Sequence, residues 1–200
     1  MVLYWSGFWS GICWNVEGLW YLGLMMIQVT RRCYECFMVQ KIGNHKSLFL
    51  KAPLAWVFYF WASLAPILES IQTCSISTRI DYFSILHMSW ISLLGSSLFL
   101  FGNYIQYLHH AYMANNSGTK KKYKVFNELW FRYVSNPHYF AEILIYLGLV
   151  GVTGGTHVSS WLILLFVITN LGLNGWRTHE WYKSHFNNYP PRKILIPFLF

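Results

Sequence analysis

Ser135-Asn136-Pro137-His138-Tyr139-Phe140-Ala141-Glu142 is the stretch on which the fold turns, because it sets polar chemistry at the mouth of a hydrophobic helix. Asn136 can accept hydrogen bonds from the first free N–H groups of a helix, and Pro137 suits the first helical position, where a missing N–H costs nothing. A helix is therefore expected to begin here. His138 and Glu142 are four residues apart, one turn along the same face, and Glu142 already lies inside an apolar run that ends near Gly155. Ionisable groups in such a run are expensive unless they line a wet cavity, so the pair marks a candidate site.

The rest of the chain has the same character. Of its 200 residues, 55% are hydrophobic, 20% aromatic and only 11% charged, far from the composition of a soluble domain. Five apolar runs stand out, over residues 12–30, 52–69, 80 to about 109, 138–155 and 159–176. Each is near the roughly 20 residues that a helix needs to cross a bilayer. The expected fold is all-α, a polytopic transmembrane helix bundle of about five spans forming one membrane domain over residues 1–200. The first 11 residues are rich in Trp, Tyr and Phe, which favour the membrane interface. No positively charged segment, apolar core and small-residue cleavage site follow one another there, so no signal peptide is read.

Basic residues outnumber acidic ones by 15 to 7, but they fall between the apolar runs and form no continuous face, which argues against nucleic acid as a partner. With five spans, 14 of the 15 lie on one side and Arg79 alone on the other. The side rich in Lys and Arg is the cytosolic one, giving a luminal or exterior N-terminus and a cytosolic C-terminus. The Asn115–Ser117 sequon is then cytosolic and unglycosylated. Cys13, Cys33, Cys36 and Cys74 include one Cys-x-x-Cys without the further ligands of a metal site, so helix-packed free thiols are expected and no metal. Gly148, Gly151, Gly154 and Gly155 lack the preceding strand of a dinucleotide-binding loop; close helix packing or a helix stop explains them better.

Polar stripes mark the cytosolic helix ends. Asn103, Gln106 and His110 share one face of the third run, and Asn170, Asn174 and Thr178 share one face of the fifth, leading into Arg177, His179 and Tyr182. Each such group by itself reads as an interhelical hydrogen bond, worth roughly 0.6 to 2 kcal/mol. Three helices carrying them at one depth point instead to a shared polar cavity. Lys124, Arg177, Lys183 and Arg192 near its mouth suit phosphate, whereas Lys120, Lys121 and Lys122 read as topology and anionic lipid. Arg31 and Arg32 with Glu35 read equally as a helical ion pair or as part of a site.

Tyr133-Val134-Ser135-Asn136-Pro137-His138-Tyr139-Phe140-Ala141-Glu142 and the tail from Trp181 to Phe200 together resemble the steroid 5α-reductase family. Arg31-Arg32-Cys33-Tyr34-Glu35-Cys36, the Gln106 and His110 pair, and Trp130-Phe131 resemble its polyprenol (polyprenal) reductase branch most. The resemblance covers roughly residues 25–200, with a 3-oxo-5α-steroid 4-dehydrogenase-like domain over about 80–200. It implies an integral reductase of the endoplasmic reticulum membrane, with seven helices and NADPH bound from the cytosolic side. By motif, Gln106 and His110 would face the cofactor and Tyr123 with Lys124 would hold it from the loop. His138 and Glu142 would stand by the nicotinamide, and Asn170, Asn174, His179 and Tyr182 would close the far side. Arg32 and Glu35 would join the same polar network. Glu142 is the best catalytic candidate in the chain.

The chain departs from the family in three places. Asn115-Asn116-Ser117 stands where a Leu-Arg-Lys is expected, and Val125-Phe126-Asn127-Glu128-Leu129 replaces a glycine-containing loop. Five spans are two short of seven, and the acidic residue that meets the substrate oxygen belongs to the part without a counterpart. An incomplete or catalytically impaired form is the expectation. Hydride adds to a carbon–carbon double bond only when the charge on the other carbon is delocalised, which favours a polyprenal, an α,β-unsaturated aldehyde, as immediate substrate on the way to dolichol. A steroid or enoyl-CoA reductase of the same superfamily, and a non-catalytic membrane protein, are the competing readings.

Overall fold

The computed structural model describes residues 16–39, 48–72, 88–116 and 124–197. Its main elements are α1 (Val16–Tyr34, continued by a π-helical turn Glu35–Val39), α2 (Leu48–Gln72), α3 (Trp90–Asn116), α4 (Pro137–Val152) and α5 (Val158–His185), with a 3-10 turn Leu129–Arg132 before α4. Among the described residues the fold is all-helical, as the apolar runs predict. The boundaries differ. α3 reaches Asn116, beyond the end of the third run near 109, and α5 continues through Arg177, His179 and Tyr182 to His185. α4 has 16 residues, a rise of about 24 Å, less than the roughly 30 Å of a bilayer core. By length and composition, α5 alone among the described helices is long and apolar enough to cross a membrane. Residues 1–11, Cys13, Cys74, Arg79, the beginnings of the first and third runs, Ser117, Lys120–Lys122 and Tyr123 lie outside the described residues. Cys33 and Cys36 are free thiols.

α3 and α4 meet backbone to backbone. A Cβ on Gly148 would stand 2.6 Å from the Phe99 nitrogen and 2.7 Å from the Gly95 oxygen, and one on Gly95 would stand 2.6 Å from the Gly148 oxygen. Only glycine permits that approach, so Gly148→Ala is expected to cost about 1–3 kcal/mol through overpacking. Gly172→Ala, on α5 with nothing within 4 Å of the added carbon, should be neutral or slightly stabilising. Thermal unfolding of the two variants in detergent checks the contrast, and equal midpoints would contradict the close contact. Beyond Val152 the chain stops being helical because Gly154 (φ 64) and Gly155 (φ 73) turn left-handed. Gly155 N–H donates to Val150 O and Gly154 N–H to Gly151 O, both at 2.9 Å, a Schellman-type stop.

Pro66 inside α2 cannot donate to the carbonyl of Ala62, and the Tyr21 hydroxyl of α1 takes that carbonyl up at 2.8 Å in the buried core. At its far end α2 reaches α5 through Glu69, whose carboxylate accepts from Val158 N–H (2.8 Å), Ser159 N–H (2.9 Å) and the Ser159 hydroxyl (2.5 Å). Glu69 thereby supplies from another helix the cap that α5 lacks of its own.

Asn136 behaves differently from the expectation. Pro137 does open α4, but the Asn136 side chain makes no cap bond. Its Nδ2 donates to Gly175 O (3.0 Å) and Ile194 O (3.3 Å), so an amide that donates is spent on joining α4 to α5 and the tail. The tail runs beside residues 133–136: Val134 bridges Lys193 in parallel, and Ser135 N–H donates to Lys193 O at 2.9 Å.

Large apolar side chains cover the outside. Trp56, Phe60 and Trp61 on α2, Trp90 and Leu94 on α3, and Leu162, Leu165 and Phe166 on α5 are each more than half exposed. Apolar surface on this scale is the kind that lipid or further helices cover.

Candidate functional site

Glu35, fully buried, sits on the first residue of the π-helical turn. Its Oε1 accepts from Arg31 Nη1, and its Oε2 lies 2.6 Å from Arg32 Nη1 and 2.7 Å from His110 Nδ1. Arg31 is the hub that links this carboxylate to α3. Its Nε donates to Asn103 Oδ1 (2.6 Å), and its Nη2 donates to Gln28 Oε1 (2.9 Å) and to Gln106 Oε1. A guanidinium only donates, so both glutamines must turn their oxygens toward it and their NH2 groups away. Those NH2 groups converge on Glu142: Gln28 Nε2 donates to Oε1 at 3.0 Å and Gln106 Nε2 to Oε2. One continuous polar network thus runs from Glu35 on α1, through α3, to Glu142 on α4.

The network forms one wall of a cavity of about 880 Å³. On the polar side stand Arg32, Gln106, His110, His138, Glu142, Asn170 and Asn174. The other side is apolar, with Leu54, Val57, Phe58, Trp61, Phe166 and Val167. Leu54, Val57, Trp61 and Phe166 also lie on the exposed outer faces of α2 and α5, so the cavity opens sideways between those helices. Among the described residues, five buried side-chain polar atoms lack a partner, and three of them belong to the lining: Arg32 Nε, His138 Nδ1 and Tyr146 Oη. Each unmet group of this kind costs about 1–3 kcal/mol, and three around one cavity mark a place built for a polar ligand.

Of the residues singled out from sequence, Arg32, Gln106, His110, His138, Glu142, Asn170 and Asn174 line the cavity, and Glu35 supports it from behind. His179 does not reach it; its Nδ1 lies 2.6 Å from Ser135 Oγ. Tyr182 stacks on Tyr189 with ring centroids 5.4 Å apart, and Lys124 is exposed on the loop before α4. Gln28, Tyr59 and Tyr146 escaped sequence reasoning. Gln28 had one usable signal, a lone amide one turn before Arg31 and Arg32; Tyr146 had another, falling four residues beyond Glu142 on the His138–Glu142 face. Tyr59 sits in an aromatic run with nothing to mark it.

The chain resembles known proteins along most of its length. A family model described as 3-oxo-5-alpha-steroid 4-dehydrogenase matches residues 67–200. Polyprenal reductase 1 of Oryza sativa subsp. indica is 30% identical, aligning 88% of this chain with 57% of its own length. Polyprenal reductase 1 of Arabidopsis thaliana is 32% identical over 86% of this chain and 62% of its own, and the polyprenal reductase of Homo sapiens 28% identical over 90% and 58%. The chain therefore spans somewhat over half the length of these curated relatives. With the three helices that carry Gln106, His110, His138, Glu142, Asn170 and Asn174 all inside the matched residues, the chain belongs to the 3-oxo-5-alpha-steroid 4-dehydrogenase family, the steroid 5α-reductases.

Proposed function

We propose that the protein is a multi-pass reductase of the endoplasmic reticulum membrane that uses NADPH to saturate the α-isoprene double bond of a polyprenal. The product feeds the formation of dolichol, the carrier lipid of protein N-glycosylation. The observation that carries the reading is the cavity itself, whose one wall is a hydrogen-bonded polar network and whose other wall is apolar and opens sideways. A long isoprenoid with a polar head needs both, and the similarity to polyprenal reductases points to the same substrate class.

The lining fits a nicotinamide. Its carboxamide needs donors and acceptors at once, and Asn170 and Asn174 on α5 with the unpartnered His138 Nδ1 on α4 supply them. NADPH, when bound, supplies hydride to the β carbon of the enal. Tyr146 Oη, buried and unpartnered, holds the aldehyde oxygen and stabilises the charge that develops there as the β carbon is reduced. Glu142, held by two glutamine amides, keeps the floor of the site fixed; a proton from water reaches the α carbon to complete the saturated aldehyde. Leu54, Phe58, Trp61 and Phe166 flank the prenyl chain as it leaves between α2 and α5. Tyr123, Lys124, His179 and Tyr182 join the proposal as contacts of the cofactor's phosphate half, on the resemblance alone. The apolar outer faces and the lopsided charge support membrane insertion with the C-terminus in the cytosol.

Incubating the full chain in lipid nanodiscs with polyprenal and NADPH, and following the α-saturated product by mass spectrometry, tests the reading. One product per NADPH consumed is expected. Reduction of testosterone or an enoyl-CoA in place of polyprenal would move the substrate to the other branches of the superfamily. Failure of NADPH to protect the chain from proteolysis would favour a non-catalytic membrane protein.

A further inference from the structure

Where the main cavity opens between α2 and α5, the seam is closed by aromatic rings. Phe58 on α2 and Phe166 on α5 both line the cavity, and they stack across the seam with ring centroids 5.2 Å apart and planes 26° from parallel. Phe58 also meets the ring of Tyr146, 5.9 Å away. The three rings lead from the inside outward, since Tyr146 is 2% exposed, Phe58 is half-buried and Phe166 is 54% exposed. Further along, the same seam is pinned by Glu69, whose carboxylate holds the first N–H groups of α5. Ring stacking at Phe58 is a weaker tie than those charge-assisted hydrogen bonds. An exposed side chain such as Phe166 changes rotamer readily, so the seam can part at the rings while Glu69 keeps the helices together.

A ring pair that served packing alone would lie away from the opening; this one lies across it. Resting on the polyprenal reading above, we propose that the Phe58 and Phe166 pair determines specificity, passing a linear prenyl chain and rejecting a fused-ring enone. The polar wall makes no such distinction, because both substrates present a conjugated carbonyl to it. Shape must therefore be sorted on the apolar side. The single bonds between isoprene units rotate, so a polyprenal threads past the two rings one unit at a time, its carbonyl end moving on toward Tyr146. A fused-ring enone is rigid and broader, and it would have to displace both rings at once. Selection of this kind comes from what the seam cannot accommodate.

The full chain in nanodiscs is given NADPH with a long-chain polyprenal and testosterone together, and both saturated products are followed by mass spectrometry. Competition yields the ratio of the two kcat/KM values, which does not depend on how much of the protein is active. The parent should favour polyprenal about 100-fold or more, and Phe58→Ala and Phe166→Ala should each lower that preference about ten-fold. Phe60→Ala, which removes an exposed α2 ring outside the cavity lining, should change it less than about two-fold. Phe166 is more than half exposed, so its variant should keep the parental unfolding midpoint and carries the test if Phe58→Ala loses stability. An unchanged preference in Phe166→Ala, or an equal loss in Phe60→Ala, overturns the filter, while polyprenal reduction by the parent leaves the enzyme reading in place. A parent that reduces testosterone as readily as polyprenal also overturns the filter. A parent that reduces no polyprenal overturns both.

Discussion

Glu35→Gln is expected to lower stability by about 3–5 kcal/mol, the usual consequence of removing one partner from a buried ionic cluster. The carboxylate is fully buried and meets Arg31, Arg32 and the His110 ring through two oxygens. An amide keeps one oxygen and turns its NH2 toward a second set of donors, so a repulsive contact replaces an attractive one. The damage should not stay local. Arg31 orients Gln28 and Gln106, and they orient Glu142, so losing its anchor loosens the polar wall from α1 to α4. Against a total stability of about 5–15 kcal/mol, such a loss is a large fraction. Thermal unfolding in detergent reads it directly, and a variant melting with the parent would contradict the network.

Much of this site was legible because polar residues are costly in apolar helices and so stand out. His138 with Glu142, Gln106 with His110, and Asn170 with Asn174 fall at helical spacing, and all six line one cavity. What spacing could not supply was depth and partner choice. His179 follows the Asn170–Asn174 stripe in sequence, yet it is drawn to Ser135 because the tail folds back along residues 133–136. Asn136 has the residue type and position of a cap, but a tertiary demand from Gly175 and Ile194 outweighs the local one. Gln28 and Tyr146 were hidden by their surroundings, since one polar atom among apolar neighbours reveals its role only when another helix is placed against it. The glycines were legible in kind: Gly148 and Gly151 pack closely against α3, and Gly154 and Gly155 end α4.

Tyr146→Phe should separate function from stability. The hydroxyl is buried without a partner, so deleting it should leave the unfolding midpoint unchanged or raise it. If it holds the aldehyde oxygen, its loss should lower kcat about 10²- to 10³-fold, the usual range for one oxyanion donor, with a smaller effect on KM. A purely structural tyrosine would give the reverse, a falling midpoint with kcat intact. Steady-state reduction of polyprenal alongside thermal unfolding of the same preparation decides between the two.

If the network-walled cavity holds the nicotinamide end of NADPH, the cofactor must come within energy-transfer range of the protein's tryptophans. NADPH is therefore titrated to equilibrium into the full chain in nanodiscs, and transfer from tryptophan to the reduced nicotinamide is recorded. Saturable transfer is predicted, weakened about ten-fold or more by His138→Leu, which removes a buried polar partner while leaving the helix intact. Saturable transfer that is indifferent to His138→Leu, or no transfer at all, would contradict a nicotinamide site in this cavity.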